Sequence, residues 1–289
     1  MVLWTKWIPQ ETGLKFTTLS TNKDIAQLNT IRLSVQVSLN GLSFLAINVQ
    51  EGKTLFFEEK KLSYSTTPEE LLMEIENLIF ENKVLQQDFS EVSVIYSTAI
   101  YGLVPTALFD ESRASEYLKF NSKILANDYI AHDILENQGI VVVYVPYMNI
   151  NNFFFEKYGS FNYYHSVGVL LKTLLEKENY SLPKMYLHFQ QNSFDCIVLK
   201  NGELQLCNTY AYKTAEDFIY YTLFCMEQLK LNPETIPVLL CGEIEADDDI
   251  YKMAYTYIRN IDFVPKEMNS LEIDNTEAAH RHFTLKNLG

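Results

Sequence analysis

The chain has 289 residues, enough for one large domain or two of ordinary size, and its 47% apolar and 21% charged residues make a globular rather than a disordered composition. A net charge of −14 makes nucleic acid a poor partner, because neutralising phosphates requires Lys and Arg. With only 10 glycines there are few places for glycine-built phosphate loops.

Met1–Gly13 carries Lys6, Pro9 and Glu11 and no apolar run of signal-peptide length. No stretch reaches the ~18 apolar residues of a membrane span. Arg32–Asn48 reads as two strands, Leu33–Leu39 and Leu42–Asn48, joined by a turn at Asn40-Gly41. A third strand runs from Thr54 to about Lys60. Thr67, Pro68 and Glu70 then form a helix start with a capping box, followed by Leu71, Leu72, Ile75, Leu78 and Ile79 at helical spacing. Val92–Tyr96 is the next strand.

A connecting region follows. Pro105–Leu118 reads as a short helix, Lys123–Asp128 and Ile140–Val145 as strands, and Asn149–Lys177 as one helix. Within the last, Phe153, Phe154, Phe155, Tyr158, Phe161, Tyr163 and Tyr164 place seven aromatics in twelve residues. Buried, they form a core between domains; exposed, they mark a partner surface. Lys157 is the lone basic residue there, which disfavours stacking on single-stranded nucleic acid.

The first plan then recurs. Met185–Gln190 and Phe194–Lys200 are strands around a turn at Gln191-Asn192-Ser193. Asn201-Gly202 turns into a third strand, Glu203–Thr209. Thr214 and Asp217 cap a helix reaching about Leu231, and Pro237–Cys241 is the strand after it. The order strand, strand, strand, helix, strand appears twice, about 150 residues apart, and indicates an internal duplication. Asp247-Asp-Asp249 opens a further helix to Ile258, where carboxylates complement the dipole rather than bind metal. After Pro265 the tail is polar, with a short helix near Glu277–His282 and a solvated His280 and His282. Cys196, Cys207, Cys225 and Cys241 contain no C-x-x-C pair and lie on apolar stretches, so reduced buried thiols in a cytoplasmic protein are expected, not a zinc site.

Leu103-Val-Pro105, Asn208-Thr-Tyr-Ala-Tyr212, Glu216-Asp-Phe-Ile-Tyr-Tyr221, Leu240-Cys-Gly-Glu-Ile244 and Tyr257-Ile-Arg259 carry a resemblance. Across Leu33–Val264 the chain resembles a bacterial domain-of-unknown-function family, found mainly in Bacteroidetes, with an actin-like ATPase fold. The resemblance implies an α/β protein of two ribonuclease-H-like domains, residues 1–146 and 147–289, facing each other across a nucleotide cleft. Pilus and secretion assembly proteins are similar in size among actin-like proteins.

The same resemblance implies cleft positions at Ser38, Asn40, Gly41, Gln191, Asn192, Ser193 and Gly242. Active members carry Asp-x-Gly at the first hairpin, where a carboxylate works through Mg2+ and amides cradle phosphate. Here no acidic residue lies between Asp24 and Glu51. The second hairpin has no glycine, Asp195 falls inside the return strand, and only Gly242 remains of a Gly-Gly pair. No catalytic residue, no metal site and no ATP or Mg2+ cofactor is expected on these motifs. His188 is a half-buried strand residue on the cleft side. Three readings follow: a degenerate actin-like protein that binds a protein partner, an ATPase with displaced acids such as Asp195, or a self-assembling filament.

Overall fold

The computed structural model describes residues 30–62, 66–119, 122–125, 127–177, 182–273 and 278–288. The reading of Met1–Gly13 and the expected helix start at Glu277 lie outside the described residues, as does Ala126 within the expected strand Lys123–Asp128.

Strands β1 (Ile31–Ser38), β2 (Gly41–Asn48) and β3 (Lys53–Lys61) form an antiparallel meander. Helix α1 (Pro68–Glu81) follows, and its start carries the expected capping box: Thr67 accepts from the Glu70 amide and the Glu70 carboxylate accepts from the Thr67 amide. Leu71, Ile75, Leu78 and Ile79 bury its inner face. Strand β4 (Glu91–Tyr96) returns parallel to β1, and with a fifth strand, β8 (Asn162–His165), the order is β3-β2-β1-β4-β8.

The second half repeats this: β9 (Lys184–Gln190), β10 (Ser193–Lys200) and β11 (Glu203–Ala211), then α5 (Ala215–Gln228), capped by Thr214 and Asp217, then β12 (Pro237–Gly242) parallel to β9. With β13 (Asn260–Phe263) its order, β11-β10-β9-β12-β13, matches the first sheet position by position. The duplication read from the sequence is therefore a duplication of topology.

Both sheets have a fifth strand that periodicity does not reveal. The expected single helix Asn149–Lys177 is two, α3 (Met148–Tyr158) and α4 (Ser166–Lys177), with β8 (Asn162–His165) between them. Gly159 breaks the helix at φ 75°, a left-handed conformation open to glycine, and the β-favouring Tyr163 and Tyr164 pair parallel with β4. In the second sheet α6 (Asp249–Tyr257) is followed by β13 (Asn260–Phe263), parallel to β12. The first sheet thus draws on residues 31–165 and the second on 184–263.

A three-stranded sheet stands between them, β5 (Tyr101–Pro105), β7 (Ile140–Tyr144) and β6 (Ala131–Leu135), with the short helix α2 (Ala114–Lys119) against it. The expected helix Pro105–Leu118 is shorter, because Pro105 ends β5 and single 3-10 turns precede α2. Residues 123–125 are not a strand. Leu125 and Asp128 close a turn, with the Leu125 amide donating to the Asp128 carboxylate at 2.7 Å.

The two hairpin turns differ in chemistry. Asn201 and Gly202 both take positive φ, 55° and 74°, as a type I′ turn requires. In the first hairpin Ser38 pairs with Gly41, so the loop is Leu39-Asn40 and the glycine lies in β2. A Cβ on Gly41 would stand 2.9 Å from the Lys60 carbonyl oxygen. Close approach of β3 accounts for that glycine.

One apolar core crosses the midline, joining Leu33, Val35, Tyr96 and Leu171 to Tyr186, Ile197, Leu199 and Cys241. The second half has its own core around Phe189, Phe194 and Phe218. The chain end returns to the first half: Leu285 and Leu288 pack on Leu45, Ile47, Ile95 and Val169 beside helix α7 (Phe283–Lys286). Each such buried leucine contributes roughly 1.5–3 kcal/mol. Among the described residues no helix is long and apolar enough to cross a membrane.

Candidate functional site

A cleft lies where the two half-sheets meet. The first hairpin contributes Gln36, Ser38, Asn40 and Gly41, and the second contributes His188, Gln190 and Gln191. The end of β12 adds Gly242, the loop after it Glu243, and the chain end His282 and Thr284. Five of the seven expected positions, Ser38, Asn40, Gly41, Gln191 and Gly242, come together there. Asn192 and Ser193 turn to β11 instead, where the Asn192 carbonyl accepts from the Tyr212 amide and Ser193 pairs with Ala211. Because β9 and β10 are joined by a two-residue loop, the positions that pair sum to 383, and the turn is Gln191-Asn192 rather than three residues.

The cleft is nearly filled by the chain itself. Its volume is about 50 Å3. Small-molecule pockets run to roughly 300 Å3 and more. Three successive amides at the end of β12 and in the loop after it already have acceptors: Gly242 donates to the His280 carbonyl at 2.8 Å, Glu243 to the Phe189 carbonyl at 2.9 Å, and Ile244 to the Gly242 carbonyl at 3.1 Å. In the first hairpin Ser38 donates to the Gly41 carbonyl and receives the Asn40 amide, a local turn bond. Gln36, where an acid would be sought, accepts from the Thr284 hydroxyl at 2.7 Å.

Direct contacts tie one half to the other across this cleft. Lys61 pairs with Glu243 at 3.0 Å, and Gln191 donates to the Leu62 carbonyl at 3.0 Å. Arg281 reaches Glu59 on β3 and Glu245 after β12, at 3.4 Å each. Each exposed pair is worth little alone, roughly 0–1 kcal/mol. Their consequence is registration of one half on the other.

Beneath the cleft a buried polar chain runs between the halves. His188 Nδ1 lies 2.9 Å from Asp195 Oδ2, and both side chains are almost wholly buried. The other Asp195 oxygen accepts from Thr209, whose hydroxyl meets Tyr101 of β5 at 2.8 Å. The Tyr101 ring leans on His165 of β8, with centroids 4.8 Å apart. His165 in turn donates its backbone amide to Asp133 of β6 at 2.7 Å. Burial pushes His165 down to about 4 and Asp133 up to about 7. The ring and the carboxyl therefore both favour their neutral forms.

The His188–Asp195 pairing is missed by the sequence reading, which makes the turn one residue too long. A two-residue loop at 191–192 puts 188 opposite 195 by arithmetic alone, and a one-residue slip destroys the pairing. Missed too is the chain end. Its polarity predicts a solvated tail, but His280 is 6% exposed and Lys286 3%, because residues 278–288 fold over the cleft. His280 Nε2 meets the Ile244 carbonyl 36 residues away, an interaction with no local signal, and the Lys286 ammonium folds back to donate to the Ala278 carbonyl.

An actin-like fold implies a magnesium nucleotide, and the residues present do not fit one. Of the cleft's carboxylates, Glu243 is held by Lys61 and Glu59 by Arg281. Asp195 accepts from Thr209, His188 and Gln190 and does not line the cleft. Among the described residues no three His, Cys, Asp or Glu side chains gather as metal ligands. Asp247–Asp249 open α6, with Asp248 at the N-cap accepting from the Glu245 amide. The four cysteines are free, and Cys196, Cys225 and Cys241 are buried.

Twin sheets of identical strand order, split by a cleft, define the actin-like ATPase fold. The chain belongs to the family described as protein of unknown function (DUF3822), whose model matches residues 20–261. It is similar to a Bacteroides thetaiotaomicron VPI-5482 protein with actin-like ATPase fold and unknown function, at 22% identity and TM-score 0.75, covering 86% of this chain and 96% of that one. It is also similar to the PilM-PilN type IV pilus biogenesis complex, at 10% identity and TM-score 0.53, covering 88% and 94%. No curated protein matches the chain.

Proposed function

We propose that this chain is a non-catalytic actin-like protein that acts in the cytoplasm by binding a protein partner, with its cleft retained as a joint between the halves. The observation that carries the reading is the cleft itself: about 50 Å3, its loop amides bonded to the chain's own carbonyls. Phosphoryl transfer depends on positioned metal and charge clamps. In support of this, Ser38 and the Asn40 amide close a local turn, Gln191 bonds the opposite half, and Gly242 makes a tight bend.

A partner reading draws support from exposed aromatics. Tyr220 and Phe224 stack on the outer face of α5 at 6.3 Å, 63% and 42% exposed. The Phe153–Tyr164 cluster is a weaker candidate. Phe154 is fully buried, and Phe153, Tyr158, Phe161 and Tyr163 pack against the core. The fold it shares with PilM, which the solved complex joins to PilN, agrees with a scaffold role. The net charge of −14 argues against nucleic acid as that partner.

An ATPase assay with magnesium tests this. No turnover above buffer is expected. Turnover that Asp195→Asn abolishes would establish instead an ATPase with displaced acids.

A further inference from the structure

A second concavity lies in the first half, apart from the cleft. It is an open groove of about 390 Å3 between α1 and α3, lined by Glu76, Ile79 and Phe80 of α1, Gln86 of the 3-10 turn after it, and Phe153 and Lys157 of α3. That volume is in the range of binding pockets, which start at roughly 300 Å3. Ile79 makes an apolar floor, while Phe80 on the rim is 82% exposed and Met73, two turns earlier on the same stripe of α1, is 61% exposed. Gln86 is held in place, donating to the Ile79 and Phe80 carbonyls at 3.2 and 2.6 Å. The Glu76 carboxylate forms no ion pair or hydrogen bond among the described residues. An exposed aromatic beside an apolar hollow, with an acid at its rim, is the anatomy of an interaction site.

The chain enters the fold beside this groove. At the start of β1 the Ile31 carbonyl accepts both the amide and the hydroxyl of Ser90, at 2.9 and 2.8 Å. Ser90 follows Gln86 by four residues, at most roughly 14 Å of chain. The 29 residues before Thr30 hold both tryptophans of the protein, Trp4 and Trp7. With Ile8 these stand at i, i+3 and i+4, the spacing that gathers three side chains on one face of a helical turn. Lys6 lies between the two tryptophans, opposite in charge to Glu76. From Trp7 to Thr30 there are 23 residues, which reach at most roughly 80 Å, so the tether sets no limit on reaching the groove. Apolar anchors at helical spacing, offered to a hollow between two helices, match the helix-in-groove mode of recognition.

We propose that the groove between α1 and α3 is the docking site of the chain's own N-terminal segment, with Trp4, Trp7 and Ile8 seated against Phe80 and Phe153 and Lys6 meeting Glu76. A tethered segment acts at an effective concentration on the order of millimolar, so a site of modest affinity is filled. A partner that uses the same groove has to displace it. This goes beyond the reading of the cleft and holds whether or not nucleotide enters there.

Because Trp4 and Trp7 are the chain's two tryptophans, all of its indole emission reports on this segment. The parent's emission is expected well to the blue of the urea-unfolded chain's and poorly quenched by acrylamide. Phe80→Asp, at a largely exposed side chain, is expected to leave the far-ultraviolet circular dichroism unchanged, move the emission to the red and raise quenching several-fold. Parent emission equal to that of the unfolded chain overturns the proposal. So does a red shift produced by Tyr220→Asp on α5 and not by Phe80→Asp, which would seat the segment on another face. Emission that changes on dilution would seat it on a second copy, and overturns the proposal too. A fluorescein-labelled peptide of residues 1–13 gives a second test on the full chain. It is expected to bind the Trp4→Ala/Trp7→Ala variant roughly fivefold or more tighter than the parent, whose own segment competes for the groove. Equal anisotropy titrations refute the docking, and this arm decides should Phe80→Asp not fold.

Discussion

Asp133→Asn tests the buried network beneath the cleft most severely. The His165 ring is satisfied only when neutral: Nε2 meets the Thr98 carbonyl at 3.0 Å and Nδ1 accepts the Val167 amide at 3.2 Å. Protonating Nδ1 would abolish that acceptor, in keeping with a pKa near 4 in a fully buried ring. Asp133, 7% exposed, titrates near 7. The ordinary values are roughly 6.5 for His and 3.9 for Asp. Between pH 4 and 6.5 the unfolded chain holds one proton on the imidazole, and the folded chain holds one on the carboxyl. Folding moves a proton without binding or releasing one, so this pair contributes no pH slope there.

Removing Asp133 exposes the His165 term alone. A depressed histidine contributes stability that is full above the unfolded pKa and is lost as pH falls toward the folded one. The loss between pH 6.5 and 4 is about 3 kcal/mol, taking 1.36 kcal/mol per unit over roughly 2.5 units. At pH 8 the variant should be at least as stable as the parent, because a buried carboxylate is gone, the amide oxygen can still accept from the His165 amide, and the NH2 can donate to the Tyr144 hydroxyl oxygen where the second carboxylate oxygen stood. Urea unfolding followed by far-ultraviolet circular dichroism, at half-unit steps from pH 4 to 8, measures the variant-minus-parent difference. A difference that does not change with pH refutes the proton exchange.

Other consequences are simpler. Gly242→Ala should cost about 3 kcal/mol or more in urea unfolding, roughly the strain of a left-handed residue plus a backbone clash, whereas Gly202→Ala, with open space at its Cβ, should cost only about 1 kcal/mol. Thr67→Ala and Thr214→Ala, which each remove a capping box, should each lower stability by about 1 kcal/mol, equal within error if the halves are equivalent. Phe154→Ala should cost roughly 3–5 kcal/mol, as a core phenylalanine does, and an effect under about 1 kcal/mol would put that ring on the surface.

Local chemistry makes much of the fold legible. Capping boxes at Thr67 and Thr214, alternating strands and the Asn201-Gly202 turn are decided within a few residues, so the repeated plan can be read without a structure. The fifth strands are hidden for a physical reason. Asn162–His165 and Asn260–Phe263 have only four residues each and follow helices, too few to show a period of their own. Within the cleft, the absent acids are visible because absence is a property of the sequence. The occupied amides are not, since Gly242 and His280 are 38 residues apart and meet only in the folded chain. The polarity of the tail argues for solvent, but its polar groups are spent on carbonyls, as Asn269 and Lys286 are on Ala279 and Ala278.

Thermal unfolding of the parent chain with millimolar Mg-ATP bears most directly on the closed cleft. A ligand present at a hundred times its dissociation constant stabilises the native state by about 2.7 kcal/mol, a shift of a few degrees for a protein of this size. An unchanged melting temperature is the outcome a self-occupied cleft requires. A rise of several degrees would show that nucleotide enters the cleft, and would contradict a joint closed by the chain's own carbonyls.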